Sequence, residues 1–230
     1  MRAVLFDLDD TLIDYTGRVE GCWDAACAQA APHGVDVVAL AQAVHEARRW
    51  FWGDPDRHAR ERVDMLGAWT KIAALALERV GRPSERVARE VAVDFSLRRT
   101  AATTIFDDAL PCLHGLCARG VPLGLVTNGD ARMQREKLER HQLGHFFDVV
   151  VIEGELGVGK PDATVYRHAL RALGVEASQA MMVGDNFEWD VAGAARAGLT
   201  GVWLDRAGRG GAETAHATRT IRTLAELEPA

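Results

Sequence analysis

Asp7 and Asp9 lie two residues apart in the run Phe6-Asp7-Leu8-Asp9-Asp10-Thr11-Leu12, directly after the apolar stretch Ala3-Val4-Leu5-Phe6. That stretch predicts a strand buried on both faces of a parallel sheet. Ligands of open α/β sheets bind beyond the carboxyl ends of the strands, which is where these two acids fall. Two carboxylates on a turning backbone attract a hard divalent cation. Mg²⁺ suits such oxygen ligands and keeps open positions for phosphate oxygens. On their own, the same residues equally describe an acidic turn that caps a helix.

Three further segments carry complementary groups. Leu123-Gly124-Leu125-Val126 reads as a buried strand ending in Thr127-Asn128-Gly129. Met181-Met182-Val183 reads as another, ending in Gly184-Asp185-Asn186, with Asp190 five residues beyond Asp185. Between them, Gly157-Val158-Gly159-Lys160-Pro161-Asp162 is a loop that opens a helix. A carboxylate pair, a hydroxyl, an amine and a second acidic pair are thus delivered by four segments. Three of these are strand ends, which a parallel sheet places on one edge.

In this order the four segments closely resemble the motifs of the haloacid dehalogenase superfamily of phosphatases and phosphotransferases, over about residues 3–205. The resemblance implies an α/β fold: a Rossmann-like parallel sheet core with helices on both faces and an inserted α-helical cap domain. It also implies Mg²⁺-dependent hydrolysis of small phosphate monoesters through an aspartyl-phosphate. On that basis Asp7 is the expected nucleophile and Asp9 the general acid and then base, its backbone carbonyl also facing the metal. Asp185 completes the expected metal set of Asp7, Asp9 and Asp185. Thr127 and Lys160 hold the phosphoryl group, Thr11, Asn128 and Gly129 contact substrate, and Asp190 and Asn186 orient the site from behind. The Asp9-Asp10-Thr11 form resembles relatives acting on nucleoside monophosphates or acylated sugar phosphates, where other branches have Gly in the middle.

The alternatives on this fold are a 2-haloacid dehalogenase, a sugar-phosphate mutase, a phosphonate hydrolase and a non-catalytic binding module. Dehalogenases of the superfamily lack the second acid of the first motif, so Asp9 argues against them. Phosphonate hydrolases need a cap lysine, and Lys71 is the only one in that stretch. A binding module would be expected to have lost part of the set that is complete here.

Only three of the 27 basic residues are lysines, Lys71, Lys137 and Lys160. A chain that uses arginine almost throughout yet has lysine in the third motif points to a need for a compact ammonium there. Gly154 to Lys160 also fits the start of a nucleotide-binding P-loop, but Pro161 replaces the required Ser or Thr, which rejects that reading.

Length and composition set the frame. At 230 residues, 48% hydrophobic and 26% charged, the chain fits one α/β core with a smaller insert. Its net charge of -6 argues against nucleic acid or an anionic membrane as partner and for a small phosphorylated metabolite. No apolar run approaches the roughly 18 residues of a membrane span, and the start enters a strand at once, so the expectation is a cytoplasmic monomer or homodimer. Cys22, Cys27, Cys112 and Cys117 have neither zinc-ligand nor redox spacing and are expected as buried thiols. His141 and His145 read as a helix end, not a metal pair.

The expected domains are a Rossmann-like catalytic core over 1–16 and 105–230 and a helical cap domain over 17–104. Within the insert, three- and four-residue periodicity predicts helices at Arg18–Ala31, Val38–Phe51, Arg60–Val80 and Ser84–Arg98. Trp23, Trp50, Trp52 and Trp69, with Arg48, Arg49, His58 and Arg60, form either an aromatic and basic wall over substrate or the insert's own core. Strands at 123–126, 149–152, 181–183 and 201–204 alternate with helices near 131–143, 162–173 and 189–197, the spacing of repeated βαβ units. The tail Arg206–Thr220 reads as a loop before a short final strand and helix.

Overall fold

The computed structural model describes residues 2–31, 33–208, 210 and 219–227. The chain divides into two units, residues 1–14 with 104–230 and residues 15–103.

The first unit contains β1 (Ala3–Phe6), β2 (Ile13–Asp14), β3 (Thr104–Ile105), β4 (Leu123–Thr127), β5 (Val149–Ile152), β6 (Ala180–Gly184), β7 (Thr200–Leu204) and β8 (Arg219–Ile221). Six of these form one parallel sheet in the order β5-β4-β1-β6-β7-β8, while β2 and β3 pair as a short antiparallel ribbon. Strand residues alternate between two cores, as a period of two requires. Val4, Phe6, Leu123, Leu125 and Val183 join one cluster, and Ala3, Leu5, Val126, Ala180 and Met182 the other. Both faces are therefore covered, which explains why these strands read as continuous apolar runs.

The second unit is wholly helical: α1 (Val19–Ala30), α2 (Val37–Trp52), α3 (Pro55–Glu61), α4 (Met65–Arg79) and α5 (Glu85–Ala102). The helix expected over 60–80 is broken in two. Asp54 caps α3 with Pro55 in its first turn, and Asp64 caps α4 by accepting from Gly67 N at 3.0 Å. Each cap satisfies a donor that a continuous helix would have bonded itself.

Back in the sheet unit, α6 (Ala109–Ala118), α7 (Ala131–Arg140), α8 (Glu153–Leu156), α9 (Ala163–Leu173) and α10 (Gly193–Arg196) cover the sheet. Leu113, Leu116 and Leu138 fill one core, and Val165, Tyr166, Ala169 and Leu170 the other. Helix α6 was missing from the sequence expectation, since Pro111 and Gly115 interrupt its pattern. The expected helix at 189–197 begins as a π-helix, Phe187–Ala192, before α10. Strand β8 and a 3₁₀ turn at Leu224–Glu226 lie where a final strand and helix were expected. Much of the tail loop expected before them falls outside the described residues.

The cysteine expectation needs correcting. Cys22 and Cys27 are buried, Cys112 is half-buried and Cys117 is exposed, because α6 turns that flank outward. Burial pushes the Cys27 thiol up to about 12 and that of Cys112 up to about 11. His141 follows the last turn of α7 and His145 lies in a 3₁₀ turn.

Candidate active site

The carboxyl ends of β1, β4 and β6 carry the first, second and fourth motifs. Asp7 follows β1, its N–H donating to Val183 O at 2.9 Å, so its carboxylate leaves the sheet at a fixed place. Asp10 follows with φ at 59°, the left-handed region that Gly enters freely and Asp tolerates. That conformation is the backbone reason for Asp or Gly at this position.

Lys160 links the carboxylates. Its Nζ lies 2.7 Å from Asp7 Oδ1 and 2.6 Å from Asp190 Oδ1, with Lys160 only 1% exposed. Burial by itself would lower the Lys160 ammonium, but Asp190 and Asp7 outweigh it and hold it above its ordinary value. Burial pushes Asp7 up to about 7, against the pull of Lys160. Asp185 is pushed up to about 8, first by burial and then by the charges of Asp7 and Asp190.

Carboxylate oxygens of Asp7, Asp185 and Asp190 all lie within 4.8 Å of one another. An oxygen-only donor set of three crowded carboxylates fits a hard divalent cation, which would offset their charge. The Asp9 side chain lies outside this group: both of its carboxylate oxygens meet Lys137. Asp190, besides holding Lys160, accepts from Asn186 N at 3.0 Å, and Asn186 Oδ1 caps the π-helix through Trp189 N. The absence of a side chain at Gly184 makes room for Asp190, whose carboxylate a Cβ would strike.

The remaining expected residues fall around this cluster. Thr11 is fully buried; its hydroxyl donates to Asp7 Oδ2 at 3.3 Å and accepts from Asp185 N at 3.1 Å. It braces two motifs against each other. Thr127 Oγ1 accepts from Gln134 Nε2 at 2.6 Å. Asn128 clasps the third-motif loop, donating from Nδ2 to Lys160 O at 2.9 Å and accepting from Lys160 N at 2.7 Å. The N–H of Gly129 donates to Glu153 Oε2 at 2.8 Å, which ties the loop after β4 to α8.

Two residues escaped the sequence reading. Lys137 and Gln134, on α7, both reach Asp9. The scarcity of lysine would have found Lys137 as it found Lys160: the third lysine, Lys71, pairs with Glu61 at the surface.

The helical unit has its own cavity of about 390 Å³, lined by Tyr15, Thr16, Val19, Trp23, Arg48, Arg49, Trp52, His58, Met65, Trp69, Phe95 and Arg99. Trp23 stacks on Phe95 with centroids 3.7 Å apart, and Trp69 meets the same ring edge-on. These tryptophans thus both pack the unit and line its cavity, whereas Trp50 is exposed under the Arg57 guanidinium. Burial lowers the Arg48 guanidinium against the opposing charge of Glu20, and nearby Arg99 and Arg49 lower it further. The guanidiniums of Arg48, Arg49 and Arg99 make this lining suited to an anion.

The family model described as haloacid dehalogenase-like hydrolase matches residues 1–198. A phosphoserine phosphatase of Thermus thermophilus is 37% identical over 227 residues, covering 90% of this chain and 89% of the relative. A glyceraldehyde 3-phosphate phosphatase of Methanopyrus kandleri is 32% identical over 211 residues, covering 90% and 84%. Among solved structures, a 2-haloacid dehalogenase from Pseudomonas syringae superposes with a TM-score of 0.68 at 29% identity, covering 99% of this chain and 96% of that one.

Proposed function

The chain belongs to the haloacid dehalogenase-like hydrolases and is a phosphoric monoester hydrolase, and we propose that it cleaves small phosphate monoesters through an aspartyl-phosphate on Asp7. The observation that carries this reading is the Asp7 carboxylate, fixed at the end of β1 by Lys160 and Thr11 with Asp185 and Asp190 beside it. In the first step an Asp7 oxygen bonds to phosphorus while the bond from phosphorus to the ester oxygen breaks, and Asp9 gives its proton to that departing oxygen. In the second step Asp9 takes a proton from water, which attacks phosphorus and releases phosphate and Asp7. Lys160 places positive charge beside the nucleophile, and Thr127 offers its hydroxyl to a phosphoryl oxygen. Mg²⁺, held by the Asp7 and Asp185 carboxylates and the Asp9 backbone carbonyl, would offset phosphate charge so that an anionic nucleophile can approach.

Asp9 favours this chemistry over dehalogenation, which has no leaving oxygen to protonate. For the organic part of the substrate, the likeness to a phosphoserine phosphatase supports a carboxylate-bearing ester beside nucleotide and sugar phosphates. The test is phosphate release from phosphoserine, glyceraldehyde 3-phosphate, nucleoside monophosphates, sugar phosphates and an aryl phosphate, with and without Mg²⁺. Metal-dependent turnover is expected, fastest on a carboxylated ester; silence on every ester would overturn the reading.

A further inference from the structure

We propose that Lys137 and Gln134 are positioning residues that hold the Asp9 carboxylate for proton transfer, an inference that rests on the phosphatase reading. Lys137 Nζ lies 2.8 Å from Asp9 Oδ1 and 2.7 Å from Oδ2, while Gln134 Nε2 lies 3.0 Å from Oδ2. Both side chains are buried, 5% and 2% exposed. They stand three residues apart on α7, so they share one face of the helix. That helix begins directly after the second motif, with Asp130 capping it through Met133 N at 2.9 Å. The element launched by the second motif thus reaches back to the acid of the first.

The geometry does more than pair charges. A buried ammonium needs a partner, and Asp9 supplies both of its oxygens to Lys137. The Gln134 amide nitrogen is shared among Asp9 Oδ2, Thr127 Oγ1 at 2.6 Å and Asn128 O at 3.0 Å. One amide therefore ties the proton-transfer group to the hydroxyl that faces phosphate. Held on both oxygens by a rigid helix, the Asp9 carboxylate cannot turn freely. Misplacement of a reacting group by about 1 Å costs on the order of 10²-fold in rate.

The discriminating measurement compares kcat/KM for an alkyl phosphate, whose leaving oxygen needs a proton, with that for 4-nitrophenyl phosphate, whose phenolate leaves without one. In Lys137→Met the alkyl ester is expected to lose roughly 100-fold and the aryl ester only about threefold. In Asp9→Asn the added Lys137→Met change is expected to cost nothing further, because Lys137 acts through Asp9. Equal losses on both esters, or losses that multiply in the double variant, would overturn the inference while leaving the phosphatase reading intact. If Lys137→Met does not fold, Lys137→Gln keeps a donor without the charge, and its alkyl-to-aryl ratio is expected to fall about tenfold. A wild-type enzyme silent on both esters with Mg²⁺ would bring down both readings together.

Discussion

The two units of this chain handle charge in opposite ways. Of the buried polar side chains among the described residues, Asp7, Lys160, Asp190, Lys137, Glu153, Thr127 and Gln134 all belong to the sheet unit, at or beside the loops that follow its strands. Among the described residues the helical unit buries Arg99 and Thr103 and otherwise fills its interior with Ala, Val, Leu, Ile, Cys and aromatic side chains. A parallel sheet fixes its loop starts through hydrogen bonds on both sides of each strand, so it can hold buried charges close together despite their desolvation cost. Helices packed through small residues have no such edge, and this unit keeps Arg48 and Arg49 at the wall of a cavity. The sheet edge gathers buried charges, whereas the helical unit leaves guanidiniums at a cavity wall.

Changes in the sheet unit test that division most severely. Asp7→Asn removes the nucleophile without disturbing the sheet, and kcat is expected to fall by at least about 10⁴-fold with the circular dichroism spectrum retained. A variant with near wild-type turnover would sink the assignment. Next in size, Arg49→Met in the helical unit is expected to weaken binding of an inorganic anion such as sulfate to that unit's cavity about tenfold in calorimetry, while changing kcat for 4-nitrophenyl phosphate less than twofold. Unchanged anion binding, or a matching loss of turnover, would erase the distinction between the units.

Metal and pH sharpen it without any turnover. Asp7 and Asp185 have folded-state pKa values pushed up to about 7 and about 8, above the ordinary aspartate value near 3.9. The folded protein therefore binds these protons more tightly than the unfolded chain. Without metal, stability is expected to fall as pH rises from about 4 to about 8, and Mg²⁺ at 100 times its Kd should restore roughly 2.7 kcal/mol at the upper end. Thermal melts of wild type and Asp185→Asn check this: the Mg²⁺ gain should vanish in the variant.

Away from the site, Asp108 receives Arg206 through Nη1 and Nη2 at 2.9 and 2.8 Å and accepts from Leu224 N at 2.8 Å, while Arg206 also donates to Thr11 O. Burial would raise the Asp108 carboxyl, but Arg206 and the Leu224 N–H outweigh it and hold it below its ordinary range. Its stabilisation is thus complete above that range and lost as pH falls through it. Asp108→Asn is expected to cost about 2 kcal/mol at pH 7 in urea unfolding, with the difference shrinking in acid. Asp10→Ala should cost about 1 kcal/mol and Asp10→Gly less, since only the first forces a Cβ into the left-handed region without a polar side chain to compensate. Equal costs would show that the turn is not set by backbone conformation.

Much of this molecule was legible before any coordinates. Buried parallel strands announced themselves as apolar runs, and Asp7, Thr127 and Asp185 were readable as strand-end residues because the residue after such a run has one place to go. Lys160 was readable from its loop and from the rarity of lysine. The broken helix at Glu61–Asp64 and helix α6 were less so: caps at Asp54 and Asp64 compete with continuous periodicity, and Pro111 with Gly115 hides it.

By itself the sequence determined the order of the elements, the family and the chemical types at the strand ends, since local periodicity and motif spacing act over a few residues. Tertiary structure alone decided that Lys160 bridges Asp7 and Asp190, that Thr11 braces Asp185, and that Lys137 grips Asp9 across 128 residues of chain. Such meetings depend on which face a helix turns toward the sheet, and that is set by the packing of Leu138 and its neighbours into the core.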